Sequence, residues 1–234
     1  MATVKICGLQ DVEVLKSILH LPIDQIGFIF AKSRRQVSPA QAGELIRELK
    51  AHEEVAASGG GGGGTVPLTV GVFVNPTPHE LAETLREAPL DIVQLHGKES
   101  AELCRFVKST LGARVMKVVS IGGADGSSVE EQLAPYAGSI DMLLLDTFEP
   151  HVGGGSGQTF AWDRIPPYLE WTRRNGIPLL VAGGLNAGNV EELIRDYAPD
   201  GVDVSSGVET DGIKEVTKII AFVERVKQHA SSAG

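Results

Sequence analysis

Short β-branched or leucine-rich runs alternate with longer stretches in which apolar residues recur at helical spacing. The short runs read as strands: VKICGL (4–9), QIGFIFA (25–31), PLTVGVFVN (67–75), DIVQLHG (91–97), RVMKVVSI (114–121), SIDMLLLDT (139–147), IPLLVAGGL (177–185) and GVDVSSGV (201–208). The longer stretches read as amphipathic helices. SPAQAGELIRELKAHEE opens on Ser38 as a cap with Pro39 in the first turn. SAELCRFVKSTLG is closed by Gly112, and IKEVTKIIAFVERVKQH forms a final long helix. Strictly alternating strand–helix units predict a parallel sheet covered by helices. Eight of them over 1–234 predict an α/β fold, a single-domain (β/α)8 TIM barrel. The alternative, an open doubly wound sheet, would carry a glycine fingerprint after its first strand. KICGLQD has no such spacing.

One segment interrupts the pattern. Ser58 and the six glycines after it (58–64) read as a flexible insert between the second helix and the third strand. In a barrel that connection lies on the face opposite the active site.

Composition narrows the class of partner. The 234 residues are 42% hydrophobic and 22% charged, as in an ordinary globular protein, and the net charge of −9 argues against nucleic acid as a primary ligand. No apolar run reaches membrane-spanning length, and the first residues lack a signal-peptide pattern. Two cysteines are too few for a disulfide framework, so a reducing, cytoplasmic location is expected.

Barrel chemistry sits at the carboxyl ends of the strands. That rule selects Cys7, Gln94, His96, Asp146, Gly183, Gly184, Ser205, Ser206 and Gly207. Side chains two apart on a strand share a face. Lys5 therefore points with Cys7, and Asp203 with Ser205, so Lys5 and Asp203 are expected to meet inside the closed barrel. The glycines of VAGGLNAGNV and DVSSGVE fall where barrels build phosphate sites, and GGGSGQTF (153–160) is placed to close over the same ligand. Arg35, in the loop after the second strand, offers a guanidinium for a carboxylate or belongs to a solvated basic loop with Lys32 and Arg34. Cys7 is either a buried filler thiol or a reactive group, and Asp146 either an acid or a loop cap. His96 reads as a hydrogen-bonded structural residue before an acid or base. No His/Cys/Asp cluster has metal-ligand spacing.

Taken together, KICG (5–8), GFIF and RQVSP (27–30, 35–39), GVFVN (71–75), VQLHG (93–97), LLLDT (143–147), GGSGQTFAW (154–162), AGGLNAGNV (182–190) and DVSSGVE (203–209) resemble the phosphoribosylanthranilate isomerases of tryptophan biosynthesis. The resemblance runs in order along nearly the whole chain. It implies an Amadori rearrangement of a small phosphoribosyl substrate, without a cofactor. It implies Asp146 as general acid, Cys7 as general base, Arg35 at the anthranilate carboxylate, and Gly183, Gly184, Ser206 and Gly207 at the phosphate. The family often has lysine where this chain has Gln158. In some fungi the activity is fused to other pathway domains, so fusion to or association with tryptophan-pathway enzymes is a further implication. Rival readings are a histidine-pathway sugar isomerase, indole-glycerol-phosphate synthase and a non-catalytic phosphosugar-binding barrel. Cys7 after the first strand speaks against the first, which uses carboxylates as both acid and base, and Cys7 with Asp146 speaks against the last. The second relies on a catalytic lysine and extra N-terminal residues.

Overall fold

The computed structural model describes residues 2–58, 66–121, 127–146 and 162–232. Its strands are β1 (Thr3–Cys7), β2 (Gln25–Ile29), β3 (Leu68–Phe73), β4 (Ile92–Leu95), β5 (Arg114–Ser120), β6 (Met142–Asp146), β7 (Leu179–Ala182) and β8 (Gly201–Val204), which pair in chain order into one closed parallel barrel. Closure sets β1 beside β8, with Thr3 opposite Gly201 and Lys5 opposite Asp203. Helices α1 (Val12–Ile18), α2 (Pro39–Ser58), α3 (Pro78–Glu87), α4 (Ala101–Phe106), α5 (Val129–Leu133), α6 (Pro166–Asn175), α7 (Val190–Tyr197) and α8 (Val216–Ser232) alternate with the strands. The (β/α)8 barrel expected from the alternation is the fold observed.

Strand alternation sorts the side chains into two cores. Val70, Ile92, Met116, Val118, Met142, Leu144 and Leu180 point inward and fill the barrel. Val4, Ile6, Val93, Leu143 and Val202 point outward against helix residues such as Leu15, Ile46, Phe222 and Val226. Each fully buried aliphatic or phenylalanine side chain contributes about 1.5–3 kcal/mol relative to exposure. Lys5 lies in the inner core, fully buried, with its Nζ 2.9 Å from Asp203 Oδ1. An ammonium there needs that partner.

At the amino-terminal end an aspartate precedes every even-numbered strand, and each accepts the backbone N–H at the start of the strand before it. Asp24 accepts from Val4 at 2.7 Å, Asp91 from Thr69 at 2.7 Å, Asp141 from Val115 at 2.8 Å and Asp200 from Leu179 at 2.8 Å. These bonds staple the strands in pairs: β1–β2, β3–β4, β5–β6 and β7–β8.

Local signals place the helix ends. Asp11 caps α1 through Glu13 N and Val14 N, and Thr77–Glu80 and Ser128–Glu131 form reciprocal capping boxes on α3 and α5. Ser38 Oγ accepts from Gln41 N, as its sequence position predicts. Gly112, at φ 71°, ends the helix begun by α4, whose last turn widens into a π-turn at Val107–Leu111.

Two expectations are corrected. The strand assignments overrun at their carboxyl ends: β1 stops at Cys7, β7 at Ala182 and β8 at Val204, because the residues beyond them turn into loops. The last helix begins at Val216, not Ile213. Ile213–Lys214 pairs instead with Glu209–Thr210, forming a hairpin, β9 (Glu209–Thr210) and β10 (Ile213–Lys214). Its turn, Asp211–Gly212, has φ of 52° and 84°, the positive pair that a tight two-residue hairpin requires.

Candidate active site

The carboxyl ends of the strands surround a cleft of about 370 Å³. Cys7, Arg35, Asp146, Gly183, Gly184, Ser206 and Gly207 all line it, so the structure brings together every site residue selected from the sequence. GGGSGQTF (153–160), Gln158 and the glycines at 59–64 lie outside the described residues.

Cys7 ends β1 and is buried among the inward residues. Its sheet neighbour is Gly27, where a Cβ would lie 2.8 Å from the Cys7 Sγ. Glycine at that position therefore makes room for the thiol. Burial pushes the Cys7 thiol up, Lys5 pulls it down, Asp203 pushes it up again and Lys214 pulls it down, leaving it above its ordinary value. Burial also works against a charged Lys5, but Asp203 and Cys7 outweigh it and hold the ammonium above its usual range.

Asp146 ends β6, a quarter exposed to the cleft, with Oδ2 3.7 Å from His96 Nε2. His96 sits in the loop after β4, which a buried ion pair fixes. Lys117, on the outer face of β5, donates to Leu95 O at 3.1 Å, Gly97 O at 2.8 Å and Glu99 Oε2 at 2.9 Å. The Glu99 carboxylate also accepts from Asn75 N and Gly97 N, each at 2.8 Å. Gln94 lies on the cleft floor, with its Oε1 buried and without a partner among the described residues.

Arg35 forms a wall of the cleft, but its fork is already engaged. Nε donates to Glu209 Oε1 at 2.6 Å and Nη2 to Oε2 at 2.8 Å. Nη1 has no acceptor among the described residues. Glu209 also accepts from Arg34 Nη2 at 2.9 Å and Lys214 Nζ at 2.6 Å. Burial alone would raise the Glu209 carboxyl, but Arg35 and Lys214 hold it at about 2.

The two glycine-rich loops meet on the far side. Gly183 and Gly184 have φ of 102° and 60°, which L side chains rarely adopt. A Cβ on Gly207 would fall 1.8 Å from Leu185 O, so the loop after β8 can lie against the loop after β7 only with glycine there. Ser206–Val208 forms a single 3-10 turn. Its first N–H groups have no partner within the turn.

Sequence reasoning missed Glu209 and Lys214. Glu209 stood inside a recognised segment without a role, and Lys214 was assigned to a helix. The signal that could have found both is Asp211–Gly212, a hairpin turn between them. Among the described residues no group of three or more His, Cys, Asp or Glu could hold a metal ion, and no helix is long and apolar enough to cross a membrane.

Fold and cleft together define a (β/α)8-barrel enzyme of the class that gathers a thiol, a carboxylate and a guanidinium on one rim. The model of the N-(5'phosphoribosyl)anthranilate (PRA) isomerase family matches residues 4–225, and the chain belongs to that family. It is 40% identical over 229 residues to the N-(5'-phosphoribosyl)anthranilate isomerase of Brevibacillus brevis, covering 98% of this chain and 95% of the relative. It also resembles the crystal structure of the phosphoribosyl anthranilate isomerase of Thermotoga maritima, with a TM-score of 0.76, 34% identity and coverage of 97% and 100%. A phosphoribosyl anthranilate isomerase solved in complex with reduced 1-(o-carboxyphenylamino)-1-deoxyribulose 5-phosphate superposes with a TM-score of 0.73 at 32% identity, covering 97% of this chain and all of that one.

Proposed function

We propose that this chain converts N-(5-phosphoribosyl)anthranilate into 1-(2-carboxyphenylamino)-1-deoxyribulose 5-phosphate, an isomerisation of tryptophan biosynthesis. The observation that carries the reading is the shared cleft. Cys7 and Asp146 face it from strands three apart round the rim, with Arg35 and the two glycine-rich loops also in its wall.

In this reading protonated Asp146 delivers its proton to the furanose ring oxygen. The ring C–O bond breaks and its electrons stay on that oxygen, while the anilino nitrogen supplies the pair that forms the protonated imine. The Cys7 thiolate then takes the proton from C2. The C–H electrons form the C1–C2 double bond, the imine π pair returns to nitrogen, and the enolamine tautomerises to the ketone. The imine nitrogen is the electron sink, so the chemistry requires no cofactor. A thiol with an ordinary value near 8.5 is only a few per cent thiolate at pH 7, so nearby cations matter to the rate. Positioned acid–base groups contribute typically about 10²–10⁴-fold.

The backbone at Gly183, Gly184, Ser206 and Gly207 is assigned to the phosphate. Arg35 is assigned to the anthranilate carboxylate. Because Glu209 occupies Nε and one edge of Nη2, the guanidinium offers its Nη1 side. A second pair of N–H groups, on Nη1 and the outer side of Nη2, remains for the carboxylate.

We read residues 1–234 as one barrel domain acting in the cytoplasm, in keeping with its two free cysteines. Fusion to, or association with, neighbouring tryptophan-pathway enzymes belongs to the same reading. Freshly made phosphoribosylanthranilate tests the activity directly: its fluorescence should be lost on adding the protein, with the ketose phosphate formed in equal amount. Stable fluorescence over an excess of folded protein would leave a phosphosugar-binding barrel and overturn the assignment.

A further inference from the structure

Behind the Arg35 wall lies a polar assembly to which the mechanism above gives no role. Glu209 and Lys214 face each other across the β9–β10 hairpin, their side chains 3% and 6% exposed. The Lys214 ammonium donates to Glu209 Oε1 at 2.6 Å, Ser205 O at 2.9 Å and Ser205 Oγ at 3.3 Å. Ser205 Oγ in turn donates to Cys7 O at 3.1 Å. Lys218 Nζ fixes the hairpin to α8 through Glu209 O at 2.9 Å and Thr210 Oγ1 at 2.7 Å. One lysine therefore connects the start of the phosphate turn, the carboxylate that holds Arg35, and the strand that carries the thiol.

The charges do not balance. Arg34, Arg35 and Lys214 share the single Glu209 carboxylate. The other ammonium near the thiol, Lys5, has Asp203 as its partner at 2.9 Å. Lys5 pulls on the sulfur more strongly than Asp203 opposes it, and Lys214 adds a second, smaller pull from a cluster of three cations on one carboxylate.

We propose that Lys214 is a positioning residue for this reaction: it locks the loop after β8 against β1 and supplies a fixed positive charge that favours the Cys7 thiolate, while Glu209 holds Lys214 and Arg35 in register. The proposal rests on the reading of Cys7 as the base. The charged groups whose fields reach Cys7 are Lys5 on β1, Asp203 on β8, Lys214 on β10 and Arg35 after β2. Asp146 and His96 line the same cleft. Lys214 pulls the thiol down against its burial, in accord with the geometry.

The test uses full-length protein in a Cys104→Ala background, so that one thiol remains. Cys7 ionisation is followed by thiolate absorbance and by iodoacetamide alkylation against pH, beside the pH profile of kcat/KM. Lys214→Met should raise the thiol midpoint by about one unit, roughly a tenfold loss of thiolate below the midpoint, and move the acid limb of kcat/KM equally. Lys214→Arg, which keeps the charge, should restore the midpoint. Glu209→Gln, whose amide oxygen still accepts from Lys214 and Arg35 while the negative charge is lost, should lower the midpoint. If Lys214→Met does not fold, that opposite shift decides alone. An unmoved midpoint in Lys214→Met, equal shifts in the Met and Arg variants, or a raised midpoint in Glu209→Gln would overturn the proposal. A midpoint that moves while the kcat/KM limb does not would uphold the charge role and overturn Cys7 as the base.

Discussion

At the amino-terminal end of the barrel, Asp24, Asp91, Asp141 and Asp200 each accept a strand N–H at 2.7 or 2.8 Å. At the carboxyl end, Asp146 keeps a quarter of its side chain open to a cleft it shares with a thiol, an imidazole and a guanidinium. The same residue type serves two purposes, and what differs is where the carboxylate oxygens are spent. Oxygens given to the backbone hold strands in register. A carboxylate that lines a cleft is placed to meet a ligand. The two ends should therefore separate stability from activity under substitution.

The largest effect is expected at the rim. Cys7→Ala and Asp146→Asn should each lower kcat by about 10²–10⁴-fold while leaving substrate binding and the melting temperature close to those of the parent. Single-turnover assays and calorimetry check both halves. A near-normal kcat in a folded Cys7→Ala protein would remove Cys7 from the mechanism.

Arg35→Lys should raise KM more than it lowers kcat, because the carboxylate it is assigned to lies away from the reacting atoms. Losing a charge-assisted hydrogen bond is worth roughly 1.5–3 kcal/mol, or about tenfold and upward in KM. A substrate analogue without the carboxylate should not register the change. Equal damage to both substrates would mean that the Arg35–Glu209 pair acts only by shaping the loop.

At the opposite end the pattern should reverse. Asp91→Ala leaves the Thr69 N–H and hydroxyl without their acceptor, at a cost of about 1–3 kcal/mol. Denaturant unfolding should show that loss, with kcat/KM unchanged. A matching loss of activity in the folded variant would break the division between the two ends.

Glu209 gives the comparison a pH dependence. Its carboxyl is held at about 2, against an ordinary 4.5. A depressed folded value means that the native state favours the ionised form, so the stabilisation is complete above pH 4.5 and is lost as pH falls towards 2. The stability difference between the parent and Glu209→Gln should shrink across that window. A difference that stays constant from pH 5 to pH 2 would contradict the network described here.

The smallest effect is expected from shortening Gly59–Gly64 to two residues. The tract lies in sequence between α2 and β3, and loop-closure entropy varies slowly with length. Values of kcat/KM should stay within about twofold.

The barrel was legible because strand and helix periods differ and alternate without exception. The strand ends were less so. Gly8 and Gly183 sit inside the apolar and glycine-rich runs of their strands, yet they are where the backbone turns away to form the rim. From its residues alone Cys7 was undecided, since a filler thiol and a reactive one look identical in a strand. Only the resemblance separated them, and the structure adds Lys5 on the same strand face and Lys214 linked to Cys7 O through Ser205. The four stapling aspartates carried no local motif. They stand 67, 50 and 59 residues apart, and their shared role exists only once neighbouring strands lie side by side. Lys214 was misplaced because the apolar spacing of α8 extends back into the hairpin, where the turn at Asp211–Gly212 overrides it.

Each staple joins an odd strand to the even strand after it, so the molecule has seams. The carboxylates bind β1 to β2 and β3 to β4, and among the described residues no such bond runs from β2 to β3. In sequence the glycine tract falls between the first and second stapled pairs. A cut in the connection between α4 and β5 would likewise leave every staple whole within its own fragment. Two polypeptides divided there, near Gly112, should reassemble when mixed, whereas a division between β5 and β6 would place Asp141 and the Val115 N–H it holds in different fragments. The aspartates thus mark where the chain can be divided or lengthened, in units of two strands.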